Sequence, residues 1–392
     1  MERNAIIMKK IYDSQPPNFK YALIDYLYVI KAMHNLCDWR NYSSIDYRIE
    51  FENVFARYIG KQYALSVNGC NSGMDIVLQT LDLQSTDEVI SSAINFYGTH
   101  LSILSTPAKL VLCDVDKNSL NISVDSIKEN LTSNTKAIVV THMNGVSADM
   151  NSIINVIKSY NPSIVIIEDV ARSCGALYDN RKVGCLGDIS VFSFQGKKNI
   201  STLGEGGMIL TDNYDYYEKM KKRREFGGRT MDAWGSNYKL SKVQSIVGIS
   251  QLRKIDKYNN KRRSVAFQRN KILEKYTRYF SLPIYGDNYY SIYTYYTIIL
   301  NDMFTRKDRD KIRKILELKY GVKTTVANEP TFLVHKYIDK RVDRKYKSIS
   351  CELGGRIINL PIHFEMNKKD NKYICNSFIN SLYEVLSEKN EK

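Results

Sequence analysis

Between residues 63 and 211 the chain repeats one pattern, a short apolar, β-branched run followed in most cases by a segment with helical spacing. The runs are YALSV (63–67), EVISS (88–92), KLVLCDV (109–115), AIVVTHM (137–143), IVIIEDV (164–170), ISVFSF (189–194) and GGMILT (206–211). Most are continuous rather than alternating, which predicts strands covered on both faces, as in a mostly parallel sheet between helical layers. GMDIVLQTL (73–81) and VDSIKENL (124–131) carry the helical period between them. The expected fold class is α/β, with seven strands in one large, mostly parallel sheet.

From about 213 the pattern turns helical. In LSKVQSIVGISQLRKIDKYNNKRRSVAFQRNKIL (240–273), Val243, Ile246, Val247, Ile249, Leu252 and Ile255 trace one apolar face. Beyond 280 the tyrosine-rich run YYSIYTYYTIIL (289–300) reads as strand, and the remainder as a smaller C-terminal α/β unit. The expected division is 1–265, including an N-terminal segment, and 266–392.

Composition narrows the class. No apolar run approaches the roughly 18–20 residues needed to span a bilayer. The opening stretch MERNAIIMKKIYDSQPP has only AIIM as an apolar core, too short for a secretory signal. The expectation is a cytoplasmic protein without a membrane partner. The formal net charge is +15 over 392 residues, spread along the chain. Local clusters at KKRRE (221–225) and NKRRS (260–264) fall in helix-like segments and are expected to be solvated faces. No aromatic-interleaved basic face marks a nucleic-acid partner, whereas a basic surface suits an anionic small substrate such as a nucleotide diphosphate. The seven cysteines are scattered without a CxxC pair. They read as small hydrophobes, with no metal site expected.

In an open α/β sheet, ligands gather outside the carboxyl ends of the strands, and four such ends carry candidate chemistry. NGCNSGMD (68–75) turns into a helix whose free N–H groups can cradle an anion, or is a plain helix entry capped by serine. Phe96 and Tyr97, in AINFYGTH, can stack on a planar ring or pack in the core. NGVSADM (144–150) starts a helix capped by Asp149 or Ser147. Asp169 closes an apolar strand, where a buried carboxylate needs a partner unless it serves as a cap. The loop SFQGKKNISTLGEGG (193–207) holds Lys197 and Lys198. Each can be a surface charge, a phosphate ligand, or a desolvated amine able to attack a carbonyl. Together, an amine, a carboxylate, a ring-stacking aromatic and a phosphate-ready helix start are the parts that hold pyridoxal 5′-phosphate.

At this point the chain resembles the DegT/DnrJ/EryC1/StrS family, the fold-type I, pyridoxal-phosphate-dependent aminotransferases that act on sugars. The resemblance runs over about residues 50–265 and returns at LPIHFEMNKKDNKYI (360–374). It rests on NSGMD (71–75), DEVISSAINFYGT (87–99), CDVDKNSLNI (113–122), THMNGVSADM (141–150) and the long block VIIEDVARSCGALYDNRKVGCLGDISVFSFQGKKNISTLGEGGMILTD (165–212). GSNYKLSKVQSIVGISQL (235–252) completes it. The resemblance implies that Lys198, five residues after Ser193 and followed by Asn199, is the lysine bonded to the cofactor. It implies that Asp169 pairs with the pyridine nitrogen and that Phe96 stacks on the ring. The backbone of Gly73 and Met74 and the hydroxyl of Ser193 then meet the phosphate, with Arg172 beside the cofactor hydroxyl. Asn237 reaches the phosphate in the other subunit, which implies a homodimer with shared active sites.

The departures are Arg172 where the family usually has Gln, Glu or His, and Met74 in place of Thr. QGKK also stands where many members have an aromatic or His followed by Pro, and the first ~45 residues lack the usual opening motif. The implied activity is amino transfer from L-glutamate to a nucleotide-linked 4-keto-6-deoxyhexose, or a 3-keto sugar, for amino-sugar and polysaccharide biosynthesis. An aminotransferase for a keto-cyclitol and a non-catalytic relative of the fold are the alternatives. Lys198 argues against the related dehydratases, which carry histidine there.

Overall fold

The computed structural model describes residues 12–14, 17–38, 46–326, 329–342 and 348–390. The AIIM stretch (5–8) lies outside them. Helices α1 (Leu23–Cys37) and α2 (Tyr47–Ile59) precede the first strand, β1 (Tyr63–Val67). Then follow α3 (Cys70–Thr80), β2 (Glu88–Ser92), α4 (Tyr97–Leu104), β3 (Lys109–Cys113), α5 (Val124–Asn130), β4 (Thr135–Thr141), α6 (Met150–Tyr160) and β5 (Val165–Asp169). A small hairpin, β6 (Leu177–Tyr178) and β7 (Arg181–Lys182), leads to β8 (Ile189–Ser193) and β9 (Gly207–Thr211).

Seven of these strands form one sheet in the order β1-β9-β8-β5-β4-β2-β3. Only β9 runs antiparallel to its neighbours. The continuous apolar runs have the predicted consequence. Val89, Val139, Ile167, Val191 and Ile209 face one layer with Met74, Val77 and Leu78 of α3. Their strand neighbours Ile90, Ile138, Val140 and Ile166 face a second core with Met150, Ile153 and Ile157 of α6. Burial on both faces is why these strands carry little polar–apolar alternation. This is the fold-type I architecture expected from the resemblance.

After α7 (Tyr214–Arg224), the long helical segment divides into α8 (Lys242–Leu252) and α9 (Ile255–Leu273). The break falls at Arg253 and Lys254, where the Lys254 ammonium pairs with Asp25 at 2.5 Å. A second core gathers Val265 and Ala266 of α9 with Phe280, Tyr296, Ile298, Ile358 and Phe378. Its sheet consists of β10 (Phe280–Ser281), β12 (Tyr296–Leu300) and β13 (Ile357–Leu360), all antiparallel. Helix α10 (Arg306–Tyr320) and the C-terminal helix Lys368–Asn390 cover it. Tyr12 packs into this second core and pairs with Val322.

The tyrosine-rich run is not one strand. Its first two residues form β11 (Tyr289–Tyr290), which pairs with β6, and the strand β12 starts only at Tyr296. Between them Ile292 and Tyr295 donate backbone hydrogen bonds to Gly145 and Asn144, and Tyr293 takes φ 48°. This crossing carries Thr294 and Tyr295 to the carboxyl ends of the large sheet.

The basic clusters also differ from the solvated faces expected. Arg224 is buried and pairs with Glu52 at 2.6 Å, while Arg262 is fully buried with its Nε donating to the Ile292 carbonyl. Helical spacing turns one member of each run inward, where carboxylate or carbonyl acceptors meet it. Among the described residues no helix is long and apolar enough to cross a membrane.

Candidate active site

The carboxyl ends of β4, β5 and β8 and the start of α3 open into a cleft of about 580 Å³. Asp169 and Thr141 are register partners at the last positions of β5 and β4. That alignment explains the first cluster. Asp169 Oδ2 accepts from the hydroxyls of Thr99 (2.9 Å) and Thr141 (3.3 Å), and Oδ1 from the Ala171 N–H (3.1 Å). The carboxylate is almost wholly buried and lines the cleft. It serves both as a turn cap, through Ala171, and as a polar group held at the cleft wall.

Lys198 borders the same cleft, on the loop from β8 to β9. Its backbone N–H donates to the Gln195 carbonyl at 2.8 Å, while that of Lys197 donates to Gln195 Oε1 at 2.8 Å. Both lysines border the cleft, but Lys197 is exposed and Lys198 half-buried. Burial pushes the Lys198 ammonium down to about 8, and the positive charge of Arg172 adds to the effect. Cys70, Asp169 and Glu205 pull the other way without restoring the ordinary value. An amine in this state loses its proton readily enough to act as a nucleophile near neutral pH.

The anion cradle lies one turn earlier than expected. Helix α3 starts at Cys70 with Gly69 as its N-cap, and no side chain caps it, serine included. Gly73 N–H donates to the Gly69 carbonyl at 3.0 Å, so it belongs to the helical ladder. Met74 sits deeper still, its side chain in the core. The expected phosphate contact therefore finds the Gly73 amide already spent in the helix, although Met74 still borders the cleft. The first-turn amides of Cys70, Asn71 and Ser72 have no intrahelical acceptor, and Cys70 and Asn71 line the cleft. Gly73 has another job. A Cβ there would lie 3.0 Å from Val191 Cγ1 and 3.2 Å from Ile209 Cγ1, so glycine lets α3 lie close on the sheet. Gly207 is as tightly placed, since its Cβ would stand 2.8 Å from the Gly69 carbonyl carbon and 2.9 Å from Cys70 N.

Phe96 is the N-cap of α4, lines the cleft and rests against Tyr97 with 4.4 Å between ring centroids. Ser193 lines it at the end of β8, and its hydroxyl accepts from the Gln195 N–H at 3.4 Å. Arg172 lines it too, buried, with its guanidinium 5.4 Å from the Tyr295 ring centroid. Asn237 is exposed and does not border the cleft of its own chain. Its carbonyl accepts from Asn68 Nδ2 at 3.4 Å.

Several cleft residues went unnoticed in the sequence. Thr99 and Thr141 could have been found by aligning strand ends across the sheet. Thr294, Tyr295, Glu329, Thr331 and His335 come from the C-terminal part, where nothing local marks them. Helix α11 (Thr331–Val334) is clamped to the large sheet, with Thr331 N–H donating to the Ala93 carbonyl and its Oγ1 2.8 Å from His100 Nδ1. Burial pushes His100 down to about 4, so this contact is made by a neutral imidazole. Ala327 and Asn328 lie outside the described residues.

This donor set fits pyridoxal 5′-phosphate. Free first-turn amides and a serine hydroxyl suit a phosphate. A buried carboxylate suits a protonated ring nitrogen, an exposed phenyl face suits the ring, and a depressed lysine suits the aldehyde. The bare Cα of Gly207 keeps the cradle open at the helix start.

Known proteins agree with the geometry. The family described as "DegT/DnrJ/EryC1/StrS aminotransferase family" matches residues 29–379. The UDP-4-amino-4,6-dideoxy-N-acetyl-beta-L-altrosamine transaminase of Campylobacter jejuni is 31% identical over 86% of this chain and 90% of its own length. The GDP-perosamine synthase of Escherichia coli O157:H7 is 30% identical, also over 86% and 90%. Helicobacter pylori PseC, an aminotransferase of pseudoaminic acid biosynthesis, superposes with a TM-score of 0.85 at 24% identity, covering 96% of this chain and all of that one. Spr1654 of Streptococcus pneumoniae, solved in a PLP-form, has the same fold with a TM-score of 0.87 at 18% identity, over 96% of this chain and 100% of its own.

Proposed function

The chain belongs to the DegT/DnrJ/EryC1/StrS aminotransferase family, whose members use pyridoxal 5′-phosphate, and we propose that it transfers the amino group of L-glutamate to a nucleotide-linked 4-keto-6-deoxyhexose. The observation that carries this reading is the half-buried Lys198, its ammonium depressed to about 8, across one cleft from the threonine-held Asp169. The sugar assignment draws support from the names of the two relatives, which concern UDP- and GDP-linked products, one of them a 4-amino-4,6-dideoxy sugar. The net charge of +15 suits a diphosphate-bearing substrate.

In this proposal the amides of Cys70 and Asn71 and the Ser193 hydroxyl hold the phosphate, Phe96 covers the ring, and Asp169 keeps a proton on the ring nitrogen. When bound, the cofactor supplies the aldehyde that carries the amino group and a ring that draws electrons from the reacting carbon. Lys198 holds the cofactor at rest and then moves the proton at the reacting carbon, first as base and afterwards as acid. One cleft serves donor and acceptor in turn, which makes the kinetics ping-pong. Asn237 of each chain serves the site of a second copy, so the working form is a cytoplasmic homodimer with shared active sites.

The test is a panel with glutamate as donor and 4-keto nucleotide sugars, 3-keto nucleotide sugars and scyllo-inosose as acceptors. Turnover of a 4-keto nucleotide sugar is expected. A keto-cyclitol is the second reading. Turnover of scyllo-inosose alone would establish it instead.

A further inference from the structure

The residues that fit pyridoxal 5′-phosphate do not account for the whole cleft. Tyr97, Thr331, Val334 and His335 also line it, and none of them is needed by the cofactor. The His335 imidazole rests against the Tyr97 ring with 4.7 Å between centroids and a tilt of 51°, and Tyr97 rests against Phe96. Tyr97 is 43% exposed and His335 half-buried. Among the described residues, neither the Tyr97 hydroxyl nor a ring nitrogen of His335 has a hydrogen-bond partner. The other polar groups of this wall are spent. Thr331 Oγ1 lies 2.8 Å from His100 Nδ1, and Glu329 is committed to Arg306 at 2.6 Å and Arg309 at 3.2 Å.

Both cores hold this wall in place. On the side of the large sheet, Pro330 pairs with Ile94 and the Thr331 N–H donates to the Ala93 carbonyl at 3.1 Å. His100 Nε2 lies 3.1 Å from the Ser92 carbonyl, which can only accept. The ring proton of the neutral imidazole is therefore on Nε2, and Nδ1 accepts from the Thr331 hydroxyl. On the other side, the buried Arg309 ties Glu329 to the carbonyls of Gly354 and Ile357. A segment fixed at both ends presents His335 to the cleft already ordered, so little freedom is lost when a ligand meets it.

We infer that Tyr97 and His335 form the seat for the hydroxylated ring of the amino acceptor, their ring faces against its C–H face and their free polar atoms on its hydroxyls. Aromatic walls with a few uncommitted polar atoms suit such a ring. A phenol and a neutral imidazole each donate and accept, as a ring hydroxyl does. The inference rests on the aminotransferase reading and names the acceptor contact that reading leaves open. In amino transfer to a keto sugar or keto-cyclitol the reacting carbon belongs to the ring. The ring, not a nucleotide attached to it, is thus the part that must enter the cleft. An acyclic amino-acid donor has no ring to lay on this wall.

The experiment separates the two half-reactions in holoenzyme of the wild type, Tyr97→Phe and His335→Phe, variants that keep a ring and delete its polar atoms. The glutamate half-reaction is followed by stopped-flow through the cofactor's absorbance. KM and kcat for the acceptor are measured with a 4-keto nucleotide sugar, a 3-keto nucleotide sugar and scyllo-inosose. For the ring that the wild type converts, each variant should raise KM ~5- to 30-fold and change kcat less. The glutamate half-reaction should keep its wild-type rate. Wild-type KM for the acceptor in both variants would overturn the inference. So would an equal loss in the two half-reactions, which would make the pair a support for Phe96. Loss confined to glutamate would seat the donor here and overturn it as well. If His335→Phe fails to fold, Tyr97→Phe decides, because it removes a single oxygen from an exposed side chain. A wild type that completes the glutamate half-reaction but converts none of the three rings removes the acceptor reading, and this inference with it. One that takes up no cofactor removes the aminotransferase reading itself.

Discussion

Lys198 is depressed to about 8 first by burial and then by Arg172, and that order fixes the sign of its pH response. Below this value the amine is mostly protonated and a poor nucleophile. Uptake of cofactor by the apoenzyme should therefore accelerate as pH rises through about 8. Stopped-flow absorbance across that range measures it. Replacing Arg172 by Gln removes a positive neighbour, so the amine keeps its proton to higher pH and the inflection should move upward. An inflection unchanged or lowered in that variant would contradict the electrostatic account. The choice of Lys198 over Lys197 comes from the resemblance, and the contrast between a half-buried Lys198 and an exposed Lys197 supports it. The Gly73 amide was expected at the phosphate for a related reason. SGM looks like a glycine-bearing helix start, but the helix begins three residues earlier, at Cys70. A sequence does not display which amides a helix has already spent.

The strands are where hydrophobic pattern and structure agree best, since two-sided burial leaves a continuous apolar run that periodicity detects. All seven expected runs overlap a strand of the large sheet, with ends shifted by at most two residues. The run at 289–300 failed because tyrosine suits both a strand and a crossing segment pinned by backbone bonds to Asn144 and Gly145. Element packing around α3 yields a paired prediction. Gly207→Ala drives a methyl against the Gly69 carbonyl carbon and Cys70 N. It should weaken cofactor binding ~10-fold or more by displacing the first-turn amides. Gly73→Ala meets side chains alone, those of Val191, Ile209 and Val67. It should cost ~1–3 kcal/mol of stability yet keep cofactor affinity. Thermal unfolding and cofactor titration of both variants separate the effects, and the opposite pattern would restore Gly73 to the phosphate site.

At the scale of the whole molecule, the division proposed here, 1–265 and 266–392, has its joint inside α9, whose Val265 and Ala266 both enter the second core. The C-terminal contributions to the cleft were illegible in the sequence because they depend on that joint and on the clamp between His100 and Thr331. The proposed homodimer gives its own prediction. Lys198→Ala and Asn237→Ala chains, each impaired alone, should regain activity when mixed and allowed to exchange. Random pairing restores one intact site in each mixed dimer, about a quarter of all sites. No gain on mixing would rule out sharing between copies. The central claim is that one amine, on Lys198, bonds the cofactor. Purified protein incubated with pyridoxal 5′-phosphate, reduced with borohydride and digested should carry the pyridoxyl label on the peptide containing Lys198. Lys198→Ala should be unlabelled and Lys197→Ala labelled as the wild type. A label on Lys197, or protein that stays colourless and unlabelled in excess cofactor, would contradict the account.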